Sequence, residues 1–161
     1  MSPDASGRDG QLPLERYHGY YIEDLAVGMS AFFGKTVTDA DLVLFSGVSG
    51  DTNPMHINRD FATGTRFGGP IVHGMLTASF ISTVIGTRLP GPGCVYLSQS
   101  LRFKAPVRVG DTVQVRATVK EIQSERRRVI IDTACMVGDT VVLDGEALIM
   151  VPSRAQAEAA Q

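Results

Sequence analysis

Between Pro70 and Arg88 the chain distributes Ile71, Val72, Met75, Leu76, Ala78, Phe80, Ile81, Val84 and Ile85 around the whole circumference of a helix. A helix apolar on every side has no face for water, so the rest of the fold must enclose it. Its interior polar residues, Thr77, Ser79, Ser82 and Thr83, are small hydroxyls that can bond back to the helix or point at a ligand. Pro70 suits the first turn. Leu89-Pro90-Gly91-Pro92-Gly93 ends the helix, because neither proline nor glycine sustains it.

The enclosing material follows directly. From Cys94 the period switches to two, with Leu97, Gln99, Leu101 and Phe103 opposed to Ser98, Ser100, Arg102 and Lys104. Thr112 to Ile122 repeats the alternation through Val113, Val115, Ala117 and Val119. Arg127 to Val137 and Thr140 to Val151 add two more strands across a Gly138-Asp139 hairpin, and Ser30 to Val37 supplies a first strand upstream. Half-apolar strands beside a fully apolar helix imply an α+β architecture in which an antiparallel sheet wraps one long buried helix, the hot dog fold. One wrapped sheet leaves an edge strand, and pairing two sheets edge to edge covers it, so a homodimer or higher homo-oligomer is expected.

At 161 residues the chain suits one compact domain. The expected division is a disordered or draped leader over 1–16, a single domain over 17–152 and a frayed Ala/Gln-rich tail over 153–161. His18, among Tyr17, Tyr20 and Tyr21, reads as part of an arm packed on the domain. A formal net charge of -2 and a pI near 5.9 give no electrostatic case for nucleic acid. Met1 to Gln11 lacks the apolar core of a signal peptide and no run reaches membrane-span length, which points to a cytoplasmic protein with no membrane partner. Cys94 and Cys135 lie in apolar strand sequence without metal-ligand spacing and read as buried reduced thiols.

The chemistry concentrates in Ser49-Gly50-Asp51-Thr52-Asn53-Pro54-Met55-His56. Thr38-Asp39-Ala40-Asp41 opens a capped helix carrying Leu42, Val43, Phe45 and Val48, which leaves through Gly47 and Gly50 into Asp51. Pro54 removes a donor and pushes Asn53 towards extended geometry, so Asp51 and His56 cannot share one continuous helix and a turn must join them. If they converge, the carboxylate orients the imidazole and the pair can deprotonate one water near neutral pH. Asp-Thr-Asn-Pro is also ordinary turn chemistry, with side chains bonding the local backbone. Asn58 to Ala62 is a further short helical stretch, followed by the glycine-rich 64–69 link.

Two stretches carry a resemblance. Ser49 through His56 resembles the D-x-N-P-x-H signature of MaoC-like, (R)-specific enoyl-CoA hydratases, and Pro70-Ile71-Val72-His73-Gly74-Met75-Leu76 resembles that family's helix entry. The similarity runs from about Tyr20 to Pro152, through Leu89-Pro90-Gly91, Ser98 to Val107 and Val109-Gly110-Asp111. It implies a hot dog hydratase whose helix-loop overhang carries Asp51 and His56 as the water-activating pair. The Gly74 amide would be the oxyanion donor, and Ser82 a hydroxyl lining the site. Asn53 would shape the turn or bond His56, and His73 would pack or bond at the helix start. The substrate implied is an acyl-CoA, with neither cofactor nor metal required.

The alternatives are the same chemistry on an acyl carrier protein, a hot dog acyl-CoA thioesterase, and a non-catalytic acyl-CoA-binding regulator. Arg66, Arg102, Lys104 and, less favoured, the Arg126-Arg127-Arg128 run are the candidate contacts for carrier phosphates. Phe45, Met55, Met75, Phe80 and Tyr96 are the expected walls of an acyl tunnel.

Overall fold

The computed structural model describes residues 17–159, so the expected leader over 1–16 lies outside the described residues. A 3-10 turn at Ile22–Asp24 leads into β1 (Ser30–Thr36), followed by α1 (Asp39–Ser49), α2 (Pro54–Ile57) and α3 (Arg59–Thr63). Then come α4 (Gly74–Thr87), β2 (Val95–Gln99), β3 (Arg102–Phe103), β4 (Thr112–Gln123), β5 (Arg128–Val137), β6 (Thr140–Met150) and α5 (Arg154–Ala159). The strands form one antiparallel sheet in the order β1-β4-β5-β6-β2, with β3 continuing along β6 beyond β2. No helix among the described residues is long and apolar enough to cross a membrane.

The two periodicities meet as the sequence requires. Along β4, Val113, Val115, Ala117 and Val119 are buried while their neighbours face outward. With Ile131 and Cys135 of β5 and Leu143, Ala147 and Ile149 of β6 they make a concave apolar surface. Leu76, Phe80, Ile81, Val84 and Ile85 of α4 pack into it, each burial contributing ~1.5–3 kcal/mol. The enclosure of α4 is incomplete. Met75, Ser79, Ser82 and Gly86 form an exposed stripe at helical spacing, because the sheet covers the helix from one side only.

The helix begins at Gly74, not at Pro70. Pro70 to His73 is extended: the Val72 N–H donates to the Val107 carbonyl (2.7 Å) and the Ile71 N–H to that of Met55 (3.4 Å). Branched side chains at Ile71 and Val72 favour that geometry over another helical turn. The loop-to-loop bonds then decide the boundary.

The strand expected over Cys94 to Lys104 is broken at Ser100-Leu101 into β2 and β3. The Ser100 N–H donates to the Glu146 carbonyl (2.9 Å), while the Ser100 hydroxyl accepts from the Glu146 N–H (3.0 Å). This brings the Ser100 carbonyl to within 1.7 Å of where a Cβ on Gly145 would lie. The bend therefore exists only because residue 145 has no side chain.

The N-terminal arm packs as expected. Its backbone bonds the loop after α4 through Gly19 N–H to Pro92 O (2.8 Å) and Tyr20 N–H to Pro90 O (2.7 Å), and the His18 ring stacks on Tyr21. Residues beyond Pro152 are not frayed throughout. They continue as α5, which Arg154 fastens to the arm by pairing with Asp24 and covering the Tyr21 ring.

Gly145→Ala is expected to destabilise the protein by ~3 kcal/mol, the upper end of ordinary overpacking, measured as a loss of unfolding free energy in urea. A variant as stable as wild type would mean that the Ser100 bend is not needed.

Candidate active site

The segment from α1 to α2 is built to present two side chains. The capping box forms as expected, with Asp41 N–H on the Thr38 hydroxyl (3.4 Å) and Thr38 N–H on the Asp41 carboxylate (2.8 Å). At the other end Gly50 takes a left-handed conformation (φ 77°), which turns the chain out of the helix into Asp51. The Ser49 hydroxyl accepts from the Asp51 N–H (3.1 Å), and Asp51 Oδ1 accepts from the Asn53 N–H (3.2 Å). Asn53 Oδ1 then caps α2 at the Met55 N–H (3.1 Å), with Pro54 in the first turn. Asn53 thus shapes the turn, and its side chain makes no bond to the His56 ring.

His56 is oriented by a group that sequence reasoning did not supply. Its Nδ1 lies 2.7 Å from the Ile71 carbonyl, which can only accept, so Nδ1 carries the proton and Nε2 keeps a bare lone pair. The Asp51 carboxylate makes no hydrogen bond to the His56 ring. Instead Asp51, His56 and His73 each place a polar side-chain atom within 4.8 Å of the other two. A carboxylate and an imidazole nitrogen at that separation can both hydrogen-bond one water at about 2.8 Å. The same trio is the set of potential metal ligands among the described residues. Ligation by the nitrogen His73 already uses would require it to give up its bond to Asp51.

That bond runs from His73 Nε2 to the Asp51 main-chain carbonyl (3.0 Å), with the Ser46 hydroxyl 3.3 Å from the same nitrogen. The His73 ring is 1% exposed, lies 3.9 Å centroid to centroid from His56, and has Phe45 at 5.0 Å on tilted planes. Its Nδ1 is buried with no hydrogen-bond partner among the described residues, a cost of ~1–3 kcal/mol. Burial holds the His73 pKa below its ordinary value, and the nearby His56 adds to this, while the bond to Asp51 opposes it.

Beside the loop lies a cavity of about 240 Å³ whose walls are mainly Phe67, Ile71, Phe103, Val107, Val142 and Leu143, with His56, Gly74 and Thr77 also lining it. Gly74 is the first residue of α4, and its N–H makes no hydrogen bond among the described residues. A Cβ there would come within 2.8 Å of the Phe103 ring, so only glycine leaves both the amide and the ring in place. His56 and Gly74 thus line one cavity, and a carboxylate oxygen of Asp51 lies within 4.8 Å of a His56 ring nitrogen without lining it. Ser82 does not line it: it is exposed, eight residues or about 12 Å further along α4.

The walls differ from those expected. Phe45, Met55, Met75, Phe80 and Tyr96 do not line this cavity. Tyr96 instead donates to Gln99, whose amide bonds Thr133 (3.1 Å), and burial pushes the phenol up to about 12. Cys94 and Cys135 are free thiols, and burial raises Cys135 to about 12. Of the candidate cations, Arg66 and Lys104 line the cavity, but Lys104 and Arg102 are both paired with Asp144. Arg128 pairs in register with Met150, seven residues or roughly 23 Å along β6 from Leu143, so the arginine run at that hairpin is remote from the site. Phe103 was visible in the sequence only as one residue of an alternating strand. The Ile71 carbonyl was hidden by the misplaced helix start.

The depressed His73 pKa has a definite pH consequence. The unfolded chain takes up a proton near pH 6.5 that the folded protein resists, so this group's contribution to stability is lost as pH falls below about 6.5. Urea unfolding of wild type and His73→Gln at a series of pH values between about 7 and 5 should show the variant gaining on wild type in acid. Parallel curves would remove His73 from the acid response.

Residues 27–140 match the MaoC like domain. An (R)-specific enoyl-CoA hydratase of Rhodospirillum rubrum is 53% identical over 135 residues, covering 84% of this chain and 94% of the relative. A 3-hydroxybutyryl-CoA dehydratase of Methylorubrum extorquens is 51% identical over 138 residues, covering 86% and 88%. Among solved structures, the (R)-hydratase from A. caviae involved in PHA biosynthesis superposes with a TM-score of 0.79 at 39% identity, covering 81% of this chain and 99% of that one. The wrapped helix, the loop presenting Asp51 and His56 and these similarities over most of the chain agree: the protein belongs to the MaoC-like domain family.

Proposed function

We propose that this protein is an (R)-specific enoyl-CoA hydratase, a hydro-lyase that reversibly adds water to a trans-2-enoyl-CoA to give an (R)-3-hydroxyacyl-CoA. The observation that carries the reading is a His56 ring nitrogen within 4.8 Å of the Asp51 carboxylate, close enough to share one water, on a ring that lines an apolar cavity together with the unbonded Gly74 amide. Names of the R. rubrum, M. extorquens and A. caviae relatives support it.

In the proposed mechanism the thioester carbonyl oxygen accepts the Gly74 N–H. There the positive end of α4 stabilises the negative charge that builds as C3 is attacked. One water lies between Asp51 and His56. His56 Nε2 takes its proton, its oxygen bonds to C3, and the C2–C3 π electrons pass to the enolate. The His56 imidazolium gives that proton to C2 on the same face, so the elements of water add to one face and both side chains end as they began. The Ile71 carbonyl keeps the imidazole in the acting tautomer and stabilises the imidazolium. No electron transfer occurs, and the reaction calls for no redox cofactor.

The carrier is coenzyme A in this reading. Arg66 is the cation at the cavity with no carboxylate partner among the described residues, and its guanidinium lies over the Phe67 ring. It is therefore the proposed contact for a carrier phosphate. The partner of the chain is a second copy of itself, as a homodimer. The outer edge of β2, with Val95 and Leu97 exposed, offers unpaired backbone and apolar side chains for sheet-to-sheet pairing.

With crotonyl-CoA as substrate, loss of enoyl-thioester absorbance is the assay. Asp51→Asn and His56→Ala should each lower kcat by ~10²–10⁴-fold, and chiral separation should give the (R) product. Variants as active as wild type would end the mechanism, and release of free thiol would identify a thioesterase instead. Arg66→Ala should raise the KM for crotonyl-CoA roughly fivefold, about 1 kcal/mol for an exposed charge-assisted contact. Crotonyl-N-acetylcysteamine, which has no phosphate, should show no such change.

A further inference from the structure

We infer that His73 is a positioning residue for the reaction, holding Asp51 in place through the Asp51 main-chain carbonyl and backing the His56 ring with its own. The inference rests on the hydratase reading above.

Three observations carry it. First, His73 precedes the first helical residue of α4, yet its side chain caps nothing in that helix. Its Nε2–H reaches across to the Asp51 carbonyl and the Ser46 hydroxyl, so it ties the end of α1, the loop and the start of α4 at one point. Secondly, Nδ1 is buried with no partner among the described residues. A ring chosen only to fill space would carry no such atom, since a phenyl ring does the same without an orphaned nitrogen. The nitrogen that is satisfied is the one that holds the loop. Thirdly, the His73 ring lies against His56 at 3.9 Å between centroids, so one face of the His56 imidazole is backed by a buried ring.

The arrangement also specifies a protonation state. A carbonyl can only accept, so His73 carries its proton on Nε2 and none on Nδ1. Burial and the neighbouring His56 disfavour a second proton. The charged and titratable groups around the pair are Asp51 on the loop, Arg66 after α3 and Lys104 after β3, the last paired with Asp144. A neutral His73 thus adds no charge to the water site. It acts on geometry, where displacement of a reacting group by about 1 Å costs about 10²-fold in rate.

Two substitutions separate positioning from packing. His73→Gln keeps an N–H donor near the Nε2 position and loses the ring, whereas His73→Phe keeps the ring and loses the donor. Positioning through the hydrogen bond predicts that the phenylalanine variant loses about 10²-fold in kcat with KM within about twofold of wild type and its melting temperature retained. The glutamine variant should remain within about fivefold of wild-type kcat. Phenylalanine equal to or better than glutamine overturns the inference. Nitrogen chemical shifts of the wild-type imidazoles provide a readout independent of catalysis and of variant folding. His73 should show a protonated Nε2 and an unprotonated Nδ1 without substrate, and the opposite tautomer overturns the inference even if the enzyme is a hydratase. A protein with no hydratase activity but the expected tautomer sinks the functional reading instead.

Discussion

The site depends on four residues being held straight. Pro70 to His73 would extend α4 by a turn if their backbone were free, but the Val72–Val107 bond keeps them extended. Three consequences follow. The Ile71 carbonyl points out of the chain and receives His56. The His73 side chain is thrown across to Asp51 rather than wrapped around the helix. The Gly74 amide becomes the first of its helix and has no acceptor four residues behind it. One main-chain hydrogen bond therefore sets the imidazole tautomer, the loop anchor and the free Gly74 amide together.

Much of this was legible because it rests on periodicity and local turn chemistry. The alternation in β4 to β6 and the dense apolar content of α4 led directly to a sheet wrapped on a helix. Thr38, Asp41, Gly50, Asn53 and Pro54 each sit where capping rules put them. Asp51 and His56 were legible as a pair because proline chemistry forbids the one arrangement that would separate them along a helix. What failed was long-range. Whether Ile71 and Val72 join α4 is decided by Val107 and Met55, far away in sequence, and no window of neighbours contains that information. The break at Ser100 is likewise decided by Gly145 on another strand.

The cavity walls failed for a related reason. Choosing large apolar residues near the motif named Phe45, Met55 and Phe80, but Phe45 packs on His73 and Phe80 faces the sheet. The wall residues Phe103, Val142 and Leu143 come from strands that reach the site only once the sheet has curled. Equally, the carboxylate was expected to steer the imidazole, the usual division of labour between an acid and a histidine. Here the backbone does the steering, which leaves the carboxylate outside the hydrogen bonding of the His56 ring.

The bend at Ser100 has a consequence for the evolution of substrate range. It fixes the phase at which β3 resumes, and so determines that Phe103, not its neighbours, faces Gly74. Side chains alternate along a strand, so a single-residue insertion or deletion between Gln99 and Phe103 would set Arg102 or Lys104 against Gly74 in place of the ring. An apolar wall would become a cationic one in one genetic step, without touching the acid, the imidazole or the amide. The width and polarity of the cavity are in this sense a property of strand phase, set at a position outside its walls.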